Sequence, residues 1–152
     1  MRILGIDYGR KRIGLAISDP LGITAQGLPT LVRGRGDSAG DVDMDMKALS
    51  EIIREREVGE MVVGLPKNMD GTIGESAKEV LAFVEVLKER FGLRVHLMDE
   101  RLSTVRAHRA MKEGGLSRKK RAGKVDMLSA QLILQGYLGR KGGSSALRGD
   151  SS

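Results

Sequence analysis

Four acidic residues stand where an acid needs a reason. Asp7 closes the apolar run "ILGID", which otherwise reads as a buried strand. Asp99 and Glu100 close a second such run, "LRVHLMDE", and Asp126 opens the apolar segment of "GKVDMLSAQLILQGYL". Like charges gathered within a few ångströms repel strongly at low dielectric, and a divalent cation makes such a cluster tolerable. Oxygen-only ligands favour a hard ion, Mg²⁺ or Mn²⁺. Two such ions roughly 4 Å apart serve in-line displacement at phosphorus, one activating the attacking water and the other stabilising the leaving oxygen.

Each acid also has a plainer role open to it. Asp126 would be favoured by the dipole of a helix that begins nearby. Asp7 could begin a tight turn, and Asp99 and Glu100 could pair with Arg101 or Arg94. It is their conjunction, next to a basic segment, that points to chemistry.

That segment is conspicuous. The first 75 residues carry ten Lys and Arg against twelve Asp and Glu, whereas the remainder carries sixteen against eight. Nine of those bases fall between Arg101 and Lys124 (Arg101, Arg106, Arg109, Lys112, Arg118, Lys119, Lys120, Arg121 and Lys124), against the single acid Glu113. Such a local excess attracts a polyphosphate partner, although a charge run can also be a solvated face. Aromatic residues make up only 3% of the chain, too few for base-stacking platforms. Nucleic acid would be held by its backbone and shape.

The elements that must position these residues follow from periodicity. "RILGID" and "RIGLAIS" are β-type runs joined by "YGRK", a connection short enough to require an antiparallel hairpin. Residues 23–33 suggest a third strand, with Pro29 favouring an edge. Residues 34–41 read as a loop, and Asp43 to Glu57 as a helix with acids in its first turn. The acidic "DVDMDM" is not a calcium loop, because Met46 and Ile52 stand where glycine and glutamate are required. "EMVVGLP" is a buried strand, and Thr72 followed by Glu75 has capping-box spacing for a helix from Ile73 to Phe91. After the 93–100 strand, Ser103 can cap a helix to Lys112. A basic loop over 113–124, a helix over 125–138 and a disordered tail over 140–152 complete the chain. Alternating strands and helices imply parallel pairing, so a mixed sheet flanked by helices on both faces is expected. Parallel strands deliver their carboxyl ends to one edge, where Asp7 and Glu100 would meet.

A chain of 152 residues suits one domain with a real core, here residues 1–139. The absence of cysteine excludes thiolate zinc sites and disulfides and fits a reducing cytoplasm. The apolar start is too short for a signal peptide and no run is long enough for a membrane span, so a cytoplasmic location is expected. His96 and His108 are the only histidines, and neither stands beside a nucleophile.

The blocks "GIDYGRKRIGLAISD", "VVGLPKNMDGT", "DERLST" and "GKVDMLSAQLILQGYL" resemble, in order and spacing, the four motifs of the YqgF/RuvX family. The resemblance implies an RNase H-like fold with a five-stranded mixed sheet. It implies a nuclease that trims the precursor of small-subunit (16S) ribosomal RNA, or alternatively a Holliday-junction resolvase. By motif, the catalytic and metal-holding acids would be Asp7, Glu100 and Asp126, with Glu100 preferred to Asp99. Arg10, Lys11, Arg101, Arg106, Lys119, Lys120, Arg121 and Lys124 are the candidates for nucleic-acid contact, and Asn68 and Thr72 for a phosphate or a loop-shaping role. The expected partners are nucleic acid, RNA before branched DNA, and a ribosomal-subunit precursor. No membrane is expected, and the chain would be a monomer or weak dimer. Two rivals remain. Actin- and hexokinase-like ATPases also open with a strand, an Asp and a glycine turn, but they close two such domains on a nucleotide. A noncatalytic RNA-binding assembly factor would gain nothing from three carboxylates beside its ligand.

Overall fold

The computed structural model describes residues 1–33, 42–102 and 118–148. Five strands form one sheet: β1 (Arg2–Tyr8), β2 (Arg12–Ser18), β3 (Ala25–Val32), β4 (Val58–Leu65) and β5 (Arg94–Asp99). Their spatial order is β3-β2-β1-β4-β5. The hairpin makes β1 and β2 antiparallel, and β3 continues antiparallel as an edge strand, which is where Pro29 is tolerated. Long crossovers make β1, β4 and β5 parallel.

Helices cover both faces. On one face lie α1 (Val42–Glu55) and α2 (Glu75–Phe91), packed on Leu4, Ile6, Ile13, Leu15, Met61 and Val63. On the other lies α3 (Arg118–Arg148), whose Ala130, Ile133, Leu134 and Leu138 pack on Ile3, Ala16, Val62 and Met98. Being buried on both sides, β1 reads as a continuous apolar run rather than an alternating one. Each large side chain buried in these cores contributes about 1.5–3 kcal/mol. A Cβ on Gly5 would stand 2.8 Å from Leu134 Cβ, so the bare backbone there is what lets α3 lie close on the sheet. No helix of the described residues is long and apolar enough to cross a membrane.

Three expectations change. Thr72 does not cap α2: the N-cap is Gly74, with no side-chain cap bond, because Thr72 is bound instead to Asp70 and Asn68. The stretch Arg118–Lys124, expected as a loop, is already α-helical. Its Arg and Lys are good helix formers, and a single glycine does not stop a helix. At the other end α3 runs on to Arg148, through much of what was expected as a disordered tail. There the Lys141 ammonium pairs with Glu60 at 2.7 Å and stands over the Tyr137 ring, tying the helix to β4. The 34–41 loop, the Ser103-capped helix (with Arg106) and residues 113–117 lie outside the described residues.

Candidate active site

The parallel strands bring their carboxyl ends to one edge, and there a cleft of about 640 Å³ opens. Asp7 and Glu100 both line it, although they are only 4% and 2% exposed. Its walls come from the Tyr8–Arg10 turn, the Pro66–Met69 loop and the first turns of α2. Glu100 begins a short 3-10 turn, Glu100–Leu102, which directs its carboxylate back over β4. A Cβ on Gly64 would stand 2.6 Å from Glu100 Oε2, so the glycine lets that carboxylate lie where it does, and a larger residue would shift it. Asp99 goes elsewhere. Arg101 Nη2 donates to its Oδ2 at 2.8 Å and the Arg101 backbone N–H to its Oδ1 at 3.0 Å. These hydrogen bonds from Arg101, led by the side chain, hold the Asp99 carboxyl below the usual range.

Asp126 is seated differently. It is the ninth residue of α3, not part of its first turn, so the helix dipole does not account for it. A Cβ on Gly14 would run into the Asp126 carbonyl, and Gly14 is the register partner of Asp7 across the β1–β2 ladder. The helix thus lays Asp126 against the strand next to Asp7. Its carboxylate, on a residue 3% exposed, accepts a hydrogen bond from Arg12 Nε at 2.7 Å. Among the described residues no three Asp, Glu or His side chains stand close enough to enclose an ion. The donor set is nevertheless the kind a hard divalent cation takes: buried carboxylates, with Gly64 leaving room beside that of Glu100.

The other candidates divide clearly. Arg10 lines the cleft and donates to Glu79 of α2 through Nε at 3.1 Å and Nη2 at 2.8 Å. Lys11 is exposed at the turn. Arg101, besides holding Asp99, donates to the Met69 carbonyl at 3.3 Å and so ties down the loop beside the cleft. Within that loop Asn68 Nδ2 donates to Thr72 Oγ1 at 2.9 Å and the Thr72 hydroxyl to Asp70 Oδ1 at 2.6 Å. Asn68 and Thr72 therefore shape the turn. Lys119, Lys120, Arg121 and Lys124 lie on α3 ahead of Asp126.

Sequence reasoning missed Arg12 as a partner of Asp126, Glu79 as a partner of Arg10, and the buttress under the hairpin turn. That buttress is Arg33, 5% exposed, which pairs with buried Asp45 at 2.8 Å. Arg33 Nη1 also donates to Tyr8 Oη at 2.9 Å and the Gly9 carbonyl at 3.1 Å, and the guanidinium stands 4.8 Å from the Tyr8 ring centroid. Tyr8 in turn stacks on Phe83 of α2 at 4.2 Å. The available signal was an arginine at a strand end facing an acid on the buried stripe of a predicted helix.

Comparison with known proteins fits this picture. The family model for the RuvX Holliday junction resolvases matches residues 1–140. A Clostridium acetobutylicum protein named "Putative pre-16S rRNA nuclease" is 52% identical over 138 residues, covering 91% of this chain and 98% of its own. A Moorella thermoacetica protein of the same name is 51% identical over 142 residues, covering 93% and 97%. Among solved structures, Thermus thermophilus RuvC superposes with a TM-score of 0.57 at 17% identity, covering 93% of this chain and 97% of that one. RuvC in complex with a Holliday junction gives 0.55 at 18%, covering 93% and 96%. At such identities the likeness is one of fold, and it is the RNase H-like fold that the motifs implied. With the match spanning nearly the whole described domain, the chain belongs to the RuvX family.

Proposed function

We propose that this chain is a divalent-metal-dependent nuclease that hydrolyses phosphodiester bonds in structured nucleic acid, with the precursor of small-subunit ribosomal RNA as its substrate. The observation that carries the reading is the cleft at the carboxyl edge of the sheet, with Asp7 and Glu100 buried in its lining. Asp126 is seated against the strand beside Asp7. The names of the Clostridium and Moorella relatives supply the substrate class.

In this reading Asp7, Glu100 and Asp126 would hold Mg²⁺ or Mn²⁺ as carboxylate ligands. The chemistry such an ion would supply is activation of water for attack at phosphorus and stabilisation of the departing oxygen. The chain's own contribution is position. Asp7 and Glu100 are fixed on a strand end and a tight turn, and Gly64 keeps space open beside Glu100. The loop tied down by Arg101 forms a rigid wall, and Lys67 and Arg10 on the cleft lining offer cations to a phosphate backbone. Lys11, Arg101, Arg106, Lys119, Lys120, Arg121 and Lys124 are the further cations that the sequence offers for holding substrate by its phosphates, without reading bases.

Resolution of four-way DNA junctions is the second reading, favoured by the family description. A single panel tests both. Purified protein is given a fragment spanning the 5′ end of the small-subunit rRNA precursor, an unstructured single strand and a four-way junction, each with Mg²⁺ or Mn²⁺. The proposal expects metal-dependent cleavage of the rRNA precursor above the other two. Preference for the junction supports the second reading, and cleavage of nothing overturns the enzyme.

A further inference from the structure

We propose that Arg12 is a positioning residue that competes with the divalent cation for Asp126, so that its guanidinium sets how weakly the site binds metal. The inference rests on the nuclease reading and deepens it. Of the three cations after Asp7, Arg12 reaches a candidate ligand: its Nε donates to Asp126 Oδ2 at 2.7 Å across 114 positions of sequence. Arg12 opens β2, two residues before Gly14, so both fall on the face that meets α3. Gly14 admits the Asp126 backbone and Arg12 closes over its carboxylate. With side chains 33% and 5% exposed, the pair is largely screened from water, where charges interact more strongly than at an open surface.

A carboxylate oxygen engaged this way is not equally available to a cation. An ion ligated through Oδ2 either displaces the guanidinium or shares that oxygen's electron density with it. An ion ligated through the other oxygen sits within a few ångströms of a like charge. Both routes weaken metal binding, so the sign of the effect does not depend on which oxygen is used. A site tuned in this way holds metal loosely until substrate phosphates add their own negative charge.

The test uses Mn²⁺ alone as probe, with free Mn²⁺ followed by electron paramagnetic resonance on the full chain without nucleic acid. Arg12→Gln removes the charge and keeps polar reach, and it should bind Mn²⁺ about tenfold more tightly than the wild type. Arg12→Lys keeps the charge and should bind close to the wild type. In EDTA, Arg12→Gln should melt at a lower temperature than the wild type and gain more from added Mn²⁺. Equal or weaker affinity in Arg12→Gln overturns the proposal, as does tighter binding in Arg12→Lys. Asp7→Asn separates the two ideas. If neither the wild type nor Arg12→Gln binds Mn²⁺ in an Asp7-dependent manner, the nuclease reading falls as well. If the wild type binds and Arg12→Gln is no tighter, only the role of Arg12 is lost.

Discussion

Gly14 makes its contribution by what it lacks. An added Cβ would meet the backbone of Asp126, which, unlike the end of a flexible side chain, cannot move aside. Gly14→Ala should therefore push α3 off β2 and cost about 1–3 kcal/mol in urea denaturation. Gly139→Ala is the matched control: its Cβ meets open space within α3, and it should be neutral or stabilising by up to about 1 kcal/mol. At this scale the acids were legible because a carboxylate at the end of an apolar strand is out of place. Their surroundings were not. Periodicity alone leaves Asp99 and Glu100 equivalent; the motif resemblance prefers Glu100, and in the structure Asp99 is taken up by Arg101 while Glu100 lines the cleft. Gly14 read as an ordinary strand residue, since its partner on α3 is remote in sequence.

The turn that follows Asp7 is held by an element on each side. Arg33, just beyond β3, and Asp45 on α1 form a buried pair that grips the Gly9 carbonyl and Tyr8. Arg33→Ala leaves Asp45 as an uncompensated buried charge and should destabilise the chain by about 3–5 kcal/mol. Replacing both with apolar residues of similar size should cost much less, and the comparison by chemical denaturation checks that the loss comes from stranded charge. Strand pairing was readable because connection length decides parallel from antiparallel. Helix starts were less readable. Thr72 and Glu75 have capping-box spacing, but the Thr72 hydroxyl is engaged within its own loop. The first turns of α3 were hidden by a composition that resembles a loop.

Over the whole molecule the charge is unevenly placed: the excess of Lys and Arg falls entirely in the second half. A phosphate-binding role for that excess makes affinity depend on salt. Changing Lys119, Lys120 and Arg121 together to Ala should weaken RNA binding and flatten its log–log salt slope by up to about three contacts' worth. An unchanged slope in a filter-binding titration would return these residues to a solvated face. The architecture itself was legible because every level agreed: a hairpin, then alternating strands and helices, with acids at the strand ends. The central claim is that the acids perform hydrolysis while the basic surface binds. The most direct measurement compares cleavage and affinity of the wild type and Asp7→Asn on the rRNA precursor fragment with Mn²⁺. The account predicts that Asp7→Asn binds the RNA as tightly as the wild type or more so, and does not cut it. Cleavage by Asp7→Asn at the wild-type rate would contradict it.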